Sequence, residues 1–233
     1  MISSACRRRY DSIASRGNRV DAQANTSREL SASVPRMSTA RTPLDSLLTQ
    51  VRSCRLCASQ LPCEPRPVLR AASSARLLII GQAPGSKVHE TGIPWNDASG
   101  IRLRGWLGLS REQFYSTEDV AIVPMGFCYP GKGKAGDLPP RPECAPTWHA
   151  SILAQLPNIE LTLLIGHYAQ LGYLGTRRRA TLTDTVRHFA DYSPHYVPLP
   201  HPSPRNQLWL ASNPWFDAEV VPALRQRIRA LLG

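Results

Sequence analysis

Four short apolar runs constrain this chain more than any other feature. They lie at 75–80, 119–124, 160–165 and 195–199, and the first three read as apolar stretches with polar residues chiefly at their starts. A strand with one solvated face alternates apolar and polar residues, whereas an unbroken run marks a strand covered on both faces. Helical patterns separate the runs, near 99–108, 145–156, 167–174 and 180–190. Thr42-Pro43 offers an N-cap and a first-turn proline, and Leu44, Leu47, Leu48 and Val51 then line one helical face. A last helix opens at Asn213-Pro214 and runs to Leu232 with Phe216, Val220, Val221, Leu224, Ile228 and Leu231 as its stripe. Strands alternating with helices predict an α/β fold: three layers, α/β/α, around a four-stranded parallel sheet. Ser99 is the expected cap of the 99–108 helix.

Two stiff loops follow strand ends. Gly81-Gln82-Ala83-Pro84-Gly85 follows the first run, and His201-Pro202-Ser203-Pro204-Arg205-Asn206 follows the fourth. Ligands of open α/β sheets bind beyond the carboxyl ends of the strands, so both loops are expected at one site. The first loop has neither a GxGxxG nor a GK[ST] pattern, which argues against a dedicated phosphate loop. Its expected use is close main-chain approach to a planar ligand. Trp95 and Asp97 stand two residues apart before a helix. On residue type alone, Trp95 is as good a core residue as a stacking surface. Asp97 is as good a helix-terminal charge as a catalytic carboxylate.

Charge narrows the class of partner. The 233 residues carry a formal charge of +11. Residues 1–36 are rich in Ser, Arg, Ala and Asn without periodic hydrophobics, and read as a disordered extension. Met37 is an alternative start, with the folded domain at 37–233. The first 36 residues hold seven basic and three acidic side chains, so the remainder keeps +7. A domain this basic points to a polyanion, nucleic acid first, although an arginine-rich solvated surface is the plainer alternative. The glycine-rich basic loop 131–141 and the run Arg177-Arg178-Arg179 are each either phosphate contacts or solvated charge. No apolar run is long enough to span a membrane.

Six cysteines are present, at 6, 54, 57, 63, 128 and 144. The first residues have no apolar core of a signal peptide, so a reducing cytoplasm is expected, and with it ligation in place of disulfides. Cys54-x-x-Cys57 is a close pair; Cys128 follows the second strand and Cys144 opens the next helix. Four thiolates can hold an iron–sulfur cluster or a structural zinc, and Cys63 is an alternative ligand. Scattered buried cysteines are the plainer alternative.

Taken together, the chain from about Leu44 onward resembles the uracil-DNA glycosylase superfamily. Gly81–Gly85 is similar to its first motif, His201–Asn206 to its second, and the order Cys54, Cys57, Cys128, Cys144 to the ligands of its cluster-containing bacterial and archaeal families. The resemblance implies a [4Fe–4S] cluster on those four cysteines, with zinc the lesser option. It implies a hydrolase, a monofunctional glycosylase that flips a uracil or related deaminated base out of DNA and cleaves its N-glycosidic bond. His201 would stabilise the departing base, Asp97 would position water or balance the sugar cation, and Trp95 would stack on the base. Gly81, Gln82 and Ala83 would line the base cavity, and Ser203 and Arg205 would hold the DNA. The expected molecule is a cytoplasmic monomer whose partner is DNA.

Two departures accompany this resemblance. Pro124 stands where the pattern implies a uracil-reading asparagine, and no asparagine lies between Asn96 and Asn158. Ala83 stands where the best-known members carry an aspartate, leaving Asp97 as the substitute. A cluster protein that binds nucleic acid without excising a base is therefore the alternative function.

Overall fold

The structure, a computed structural model, describes residues 42–134 and 136–233. The expected extension at 1–36, with Met37 as its alternative start, lies outside these residues. Strands β1 (Leu77–Ile80), β2 (Val120–Ile122), β5 (Leu161–Ile165) and β6 (Tyr196–Leu199) form one sheet in the order β2-β1-β5-β6. Every pairing in it is parallel. Between β2 and β5 a small antiparallel hairpin is made by β3 (Lys132–Gly133) and β4 (Gly136–Asp137).

The sheet is covered on both faces, which explains the apolar runs. Successive strand residues point to opposite sides. Leu77, Ile79, Ile122, Leu163, Val197 and Leu199 face helices α3 (Ala98–Leu107), α7 (Leu182–Arg187) and α9 (Val221–Leu232), meeting Leu103, Trp106, Val186, Phe216, Leu224 and Ile228. Leu78, Ile80, Ala121, Val123 and Leu164 face α1 (Pro43–Arg52), α5 (Cys144–Leu153) and α6 (His167–Leu174), meeting Leu44, Leu48, Val51, Ile152, Ala169 and Leu174. The three-layer α/β/α architecture is thus as the sequence predicts.

Edges and helix ends follow local chemistry. Pro198, which has no N–H to give, sits in edge strand β6. The other edge, β2, is met by Arg70, whose N–H and carbonyl pair with Ile122 at 3.0 and 2.7 Å. Helix α1 starts at the expected Thr42 with a capping box: Thr42 Oγ1 accepts from Asp45 N, and the Asp45 carboxylate accepts from Thr42 N. Helix α3 departs from expectation. Its cap is Asp97, whose Oδ1 accepts from Gly100 N at 2.8 Å, and Ser99 lies inside the first turn. Three further helices, α2 (Ser86–Thr91), α4 (Arg111–Tyr115) and α8 (Gln207–Ser212), are too short to leave a periodic signature. The last helix begins with a π turn at Phe216–Val220. Pro222 has no N–H for the carbonyl of Ala218 and its ring crowds that oxygen, so the first turn widens.

Candidate functional site

A cavity of about 610 Å³ opens beyond the carboxyl ends of the strands. Such a volume is ordinary for a small-molecule site, roughly 300–1,000 Å³. Gly81, Gln82, Ala83, Trp95, Asp97, His201, Ser203 and Arg205 all line it, so the eight residues expected on its walls share one space.

The loop after β1 is fixed by its neighbour. Gly81 and Gln82 carbonyls accept from Met125 and Gly126 N–H, each at 2.9 Å, tying the exit of β1 to the exit of β2. Trp95 closes over this loop. A methyl group on Gly81 would lie 2.8 Å from Trp95 Cζ2, so only glycine lets the indole rest there. Trp95 itself has φ +56°, a left-handed conformation that a bulky residue rarely adopts. Its surroundings hold it there. Tyr115 donates its hydroxyl to Pro94 O at 2.8 Å, Arg104 reaches Trp95 O at 3.4 Å, and Gly100 leaves room for that same carbonyl. Strain retained this way is a mark of functional positions.

His201 adjoins Trp95, with ring centroids 5.7 Å apart and planes tilted by 36°. Ser203 N donates to His201 Nδ1 at 3.2 Å, which makes Nδ1 the acceptor and assigns the ring proton to Nε2. Burial pushes the imidazole pKa below its ordinary value, against the smaller opposing pull of Asp97. The side chain is therefore a neutral imidazole with an N–H to donate. Its loop is knotted: Asn206 Nδ2 donates to His201 O at 2.7 Å, and Arg102 donates to Ser203 O at 3.0 Å. Behind it, fully buried Gln170 donates to Leu199 O at 2.9 Å, two residues before the histidine.

The position of the expected asparagine is occupied differently. Pro124 lines the cavity, while its carbonyl accepts from His149 Nε2 at 3.0 Å. His149 Nδ1 in turn accepts from Tyr173 O–H at 2.6 Å. This buried pair braces the exit of β2 and offers no amide to the cavity.

The basic loop 131–141, ambiguous in sequence, comes to the cavity. Lys132 and Asp137, the outer residues of the β3–β4 hairpin, both line it. Burial raises the Asp137 carboxyl pKa, Arg205 and Lys132 oppose the rise, and Asp97 adds to it. Sequence reasoning missed Asp137, as it missed Tyr129 and Tyr168 on the same walls. The arginine run is engaged within the fold. Arg177 lies over Tyr196 at 5.5 Å, Arg178 donates to His167 Nδ1 at 3.1 Å, and Arg179 pairs with Asp191 at 2.6 Å.

A second, small cavity of about 30 Å³ gathers Cys54, Cys57, Cys128 and Cys144 with Leu61, Phe127 and Trp148. Cys63 is not among its walls. Cys144 Sγ accepts from Phe127 N at 3.4 Å, and Cys57 Sγ lies 3.8 Å from Glu143 Oε2, itself paired with Arg141. Among the described residues no three such side chains converge on a point that one ion could fill. A mononuclear zinc needs four sulfurs at about 2.3 Å from a single ion. Four thiolates are a donor set that either a zinc ion or a [4Fe–4S] cluster can take.

Among the described residues no helix is long and apolar enough to cross a membrane. Compared with known families, residues 69–225 match the model described as the uracil DNA glycosylase superfamily.

Proposed function

The chain belongs to the uracil DNA glycosylase superfamily, hydrolases that act on DNA, and from that premise we propose that it excises uracil or a closely related deaminated base. The nucleotide is flipped from the stack into the 610 Å³ cavity, and its N-glycosidic bond is hydrolysed to leave an abasic site. The observation that carries this reading is the state of His201. A neutral imidazole, its proton assigned to Nε2 by Ser203 N–H, is a preorganised donor for the negative charge that grows on the departing base. Trp95, locked beside it, supplies the stacking face. Asp97 carries negative charge for the developing sugar cation and positions water. Gly81, Gln82 and Ala83 line the base cavity, and Ser203 and Arg205 grip the backbone beside it.

A [4Fe–4S] cluster held by Cys54, Cys57, Cys128 and Cys144 is part of the proposal. What supports it is the shared cavity, reached by segments before β1, after β2 and at the start of α5. The cluster supplies a structural tie between those segments. Anaerobically purified protein is expected to hold about four irons and four sulfides per chain, from the cluster formula; stoichiometric zinc with neither would remove the cluster.

The alternative, binding without excision, draws on Pro124, which offers no side-chain amide to a base edge. Oligonucleotides carrying uracil, hypoxanthine or xanthine, incubated with the protein and cleaved at abasic sites with alkali, separate the two. Strand breaks that His201→Ala suppresses support excision. An absence of breaks on every substrate, with binding retained, leaves the alternative.

A further inference from the structure

The β3–β4 hairpin is the segment whose chemistry the sequence left open, and it ends in a carboxylate on the cavity wall. Asp137 Oδ2 lies against the first loop so closely that a methyl group on Gly85 would stand 3.3 Å from it. Gly136, beside it, has φ +143°, a conformation that only glycine adopts readily, and this turn sets the direction in which the strand delivers Asp137. The other cavity carboxylate, Asp97, has Oδ1 committed to Gly100 N–H as the cap of α3. That bond holds Asp97 in place but occupies one of its two oxygens.

We propose that Asp137 is a second catalytic carboxylate, the proton acceptor for the water that attacks the sugar. This rests on the base-excision reading above. In the step, the C1′–N bond breaks and its electron pair leaves with the base, whose charge His201 Nε2–H stabilises. The water oxygen bonds to C1′ and its proton passes to the Asp137 carboxylate. That proton is then returned, through solvent, to the nitrogen of the free base, so the sum is one water consumed per bond cleaved. Asp97 is the fixed carboxylate facing the sugar.

The surroundings fit the role. The groups facing Asp137 are Asp97 from the start of α3, Arg205 from the second motif loop and Lys132 from its own hairpin. Burial and Asp97 make it more basic than a surface aspartate; Arg205 and Lys132 restrain it. Phosphates of bound DNA would engage those two cations and weaken the restraint, so basicity grows once substrate is seated. Two carboxylates with divided environments are the usual way for a site to separate a proton-transfer group from a fixed charge.

The test is single-turnover excision by the full chain, on whichever deaminated-base oligonucleotide the wild type cleaves, as a function of pH, with DNA affinity measured in parallel. Asp137→Asn is expected to lower the saturated rate by about 10²-fold or more, as for loss of a positioned base. It should also abolish the acid limb of the wild-type profile and leave DNA binding equal or tighter, since a negative charge has been removed. Asp137→Glu should keep the acid limb at a reduced rate. If Asp137→Asn fails to fold, Gly85→Ala, which presses a methyl on the same oxygen, should lower the saturated rate with affinity retained. A wild-type rate and profile in these variants overturns the inference, as does a loss confined to DNA affinity, which would make Asp137 a positioning group for Arg205. Either result leaves base excision standing. A wild type that cleaves none of the oligonucleotides removes both.

Discussion

His201 shows how much of the chemistry is decided by neighbours within five residues. Ser203 N–H fixes its tautomer and Asn206 fixes its carbonyl, and both bonds come from its own motif. Replacing it with alanine should cost about 10²–10³ in the single-turnover rate, the usual loss for one donor to a developing anion, with DNA affinity little changed. Gly81 carries a different prediction. Gly81→Ala places a methyl 2.8 Å from Trp95 Cζ2, and rigid backbone on one side means the indole must yield. Excision should fall by roughly tenfold or more through misplacement of the stacking face, and tryptophan fluorescence should report the altered environment. Asp97 and Asp137 mark the boundary of what the residues alone could tell. Asp97 was legible because a motif led to it, and the same side chain that caps α3 also lines the cavity. Asp137 was not legible. Its approach depends on where a hairpin folds back over a loop some fifty positions earlier, and no local pattern encodes that.

Among the elements, the sheet and the helices that connect its strands were legible and the shortest helices were not. Each strand lies within the run that predicted it, because burial on both faces leaves an unmistakable apolar signature. Helices α2, α4 and α8 escaped notice: six residues or fewer leave little periodic pattern, and the equally short α7 was legible only as part of the longer 180–190 stretch. Ser99 was misplaced as a cap because two competent residues, Asp97 and Ser99, stand two positions apart and only the backbone angle decides between them. One internal bond links elements to site. Gln170, from α6, donates to the end of β6 at Leu199 and more weakly to the end of β5 at Leu164. Gln170→Leu should destabilise the fold by about 0.5–1.5 kcal/mol, read as a lower urea midpoint, since Leu199 O keeps its bond from Gly166 N. It should also reduce the excision rate, because the strand end it holds carries His201.

For the whole molecule, burial of imidazoles sets the acid limit of stability. His89, His149 and His201 all have pKa values lowered chiefly by burial. The unfolded chain therefore binds protons before the folded one does. Their contribution to stability is intact above the unfolded value of about 6.5 and is lost as pH falls from there through the lowered folded values. Thermal midpoints should be flat above that pH and decline below it; a midpoint that holds steady to pH 5 or so would show that these histidines ionise freely in the fold. The sheet order has a consequence for how the molecule is made. Leu77 pairs with Leu161, so the two central strands come from distant parts of the chain. During synthesis β1 and β2 emerge and can join early, but the inner edge of β1 then waits, bare, until β5 arrives. Pairing of such long reach is slow to form and exposes an apolar strand edge in the interval. Refolding should therefore be slow for a protein of this size and increasingly lossy as concentration rises, and a peptide copied from β5 should interfere by taking the waiting place.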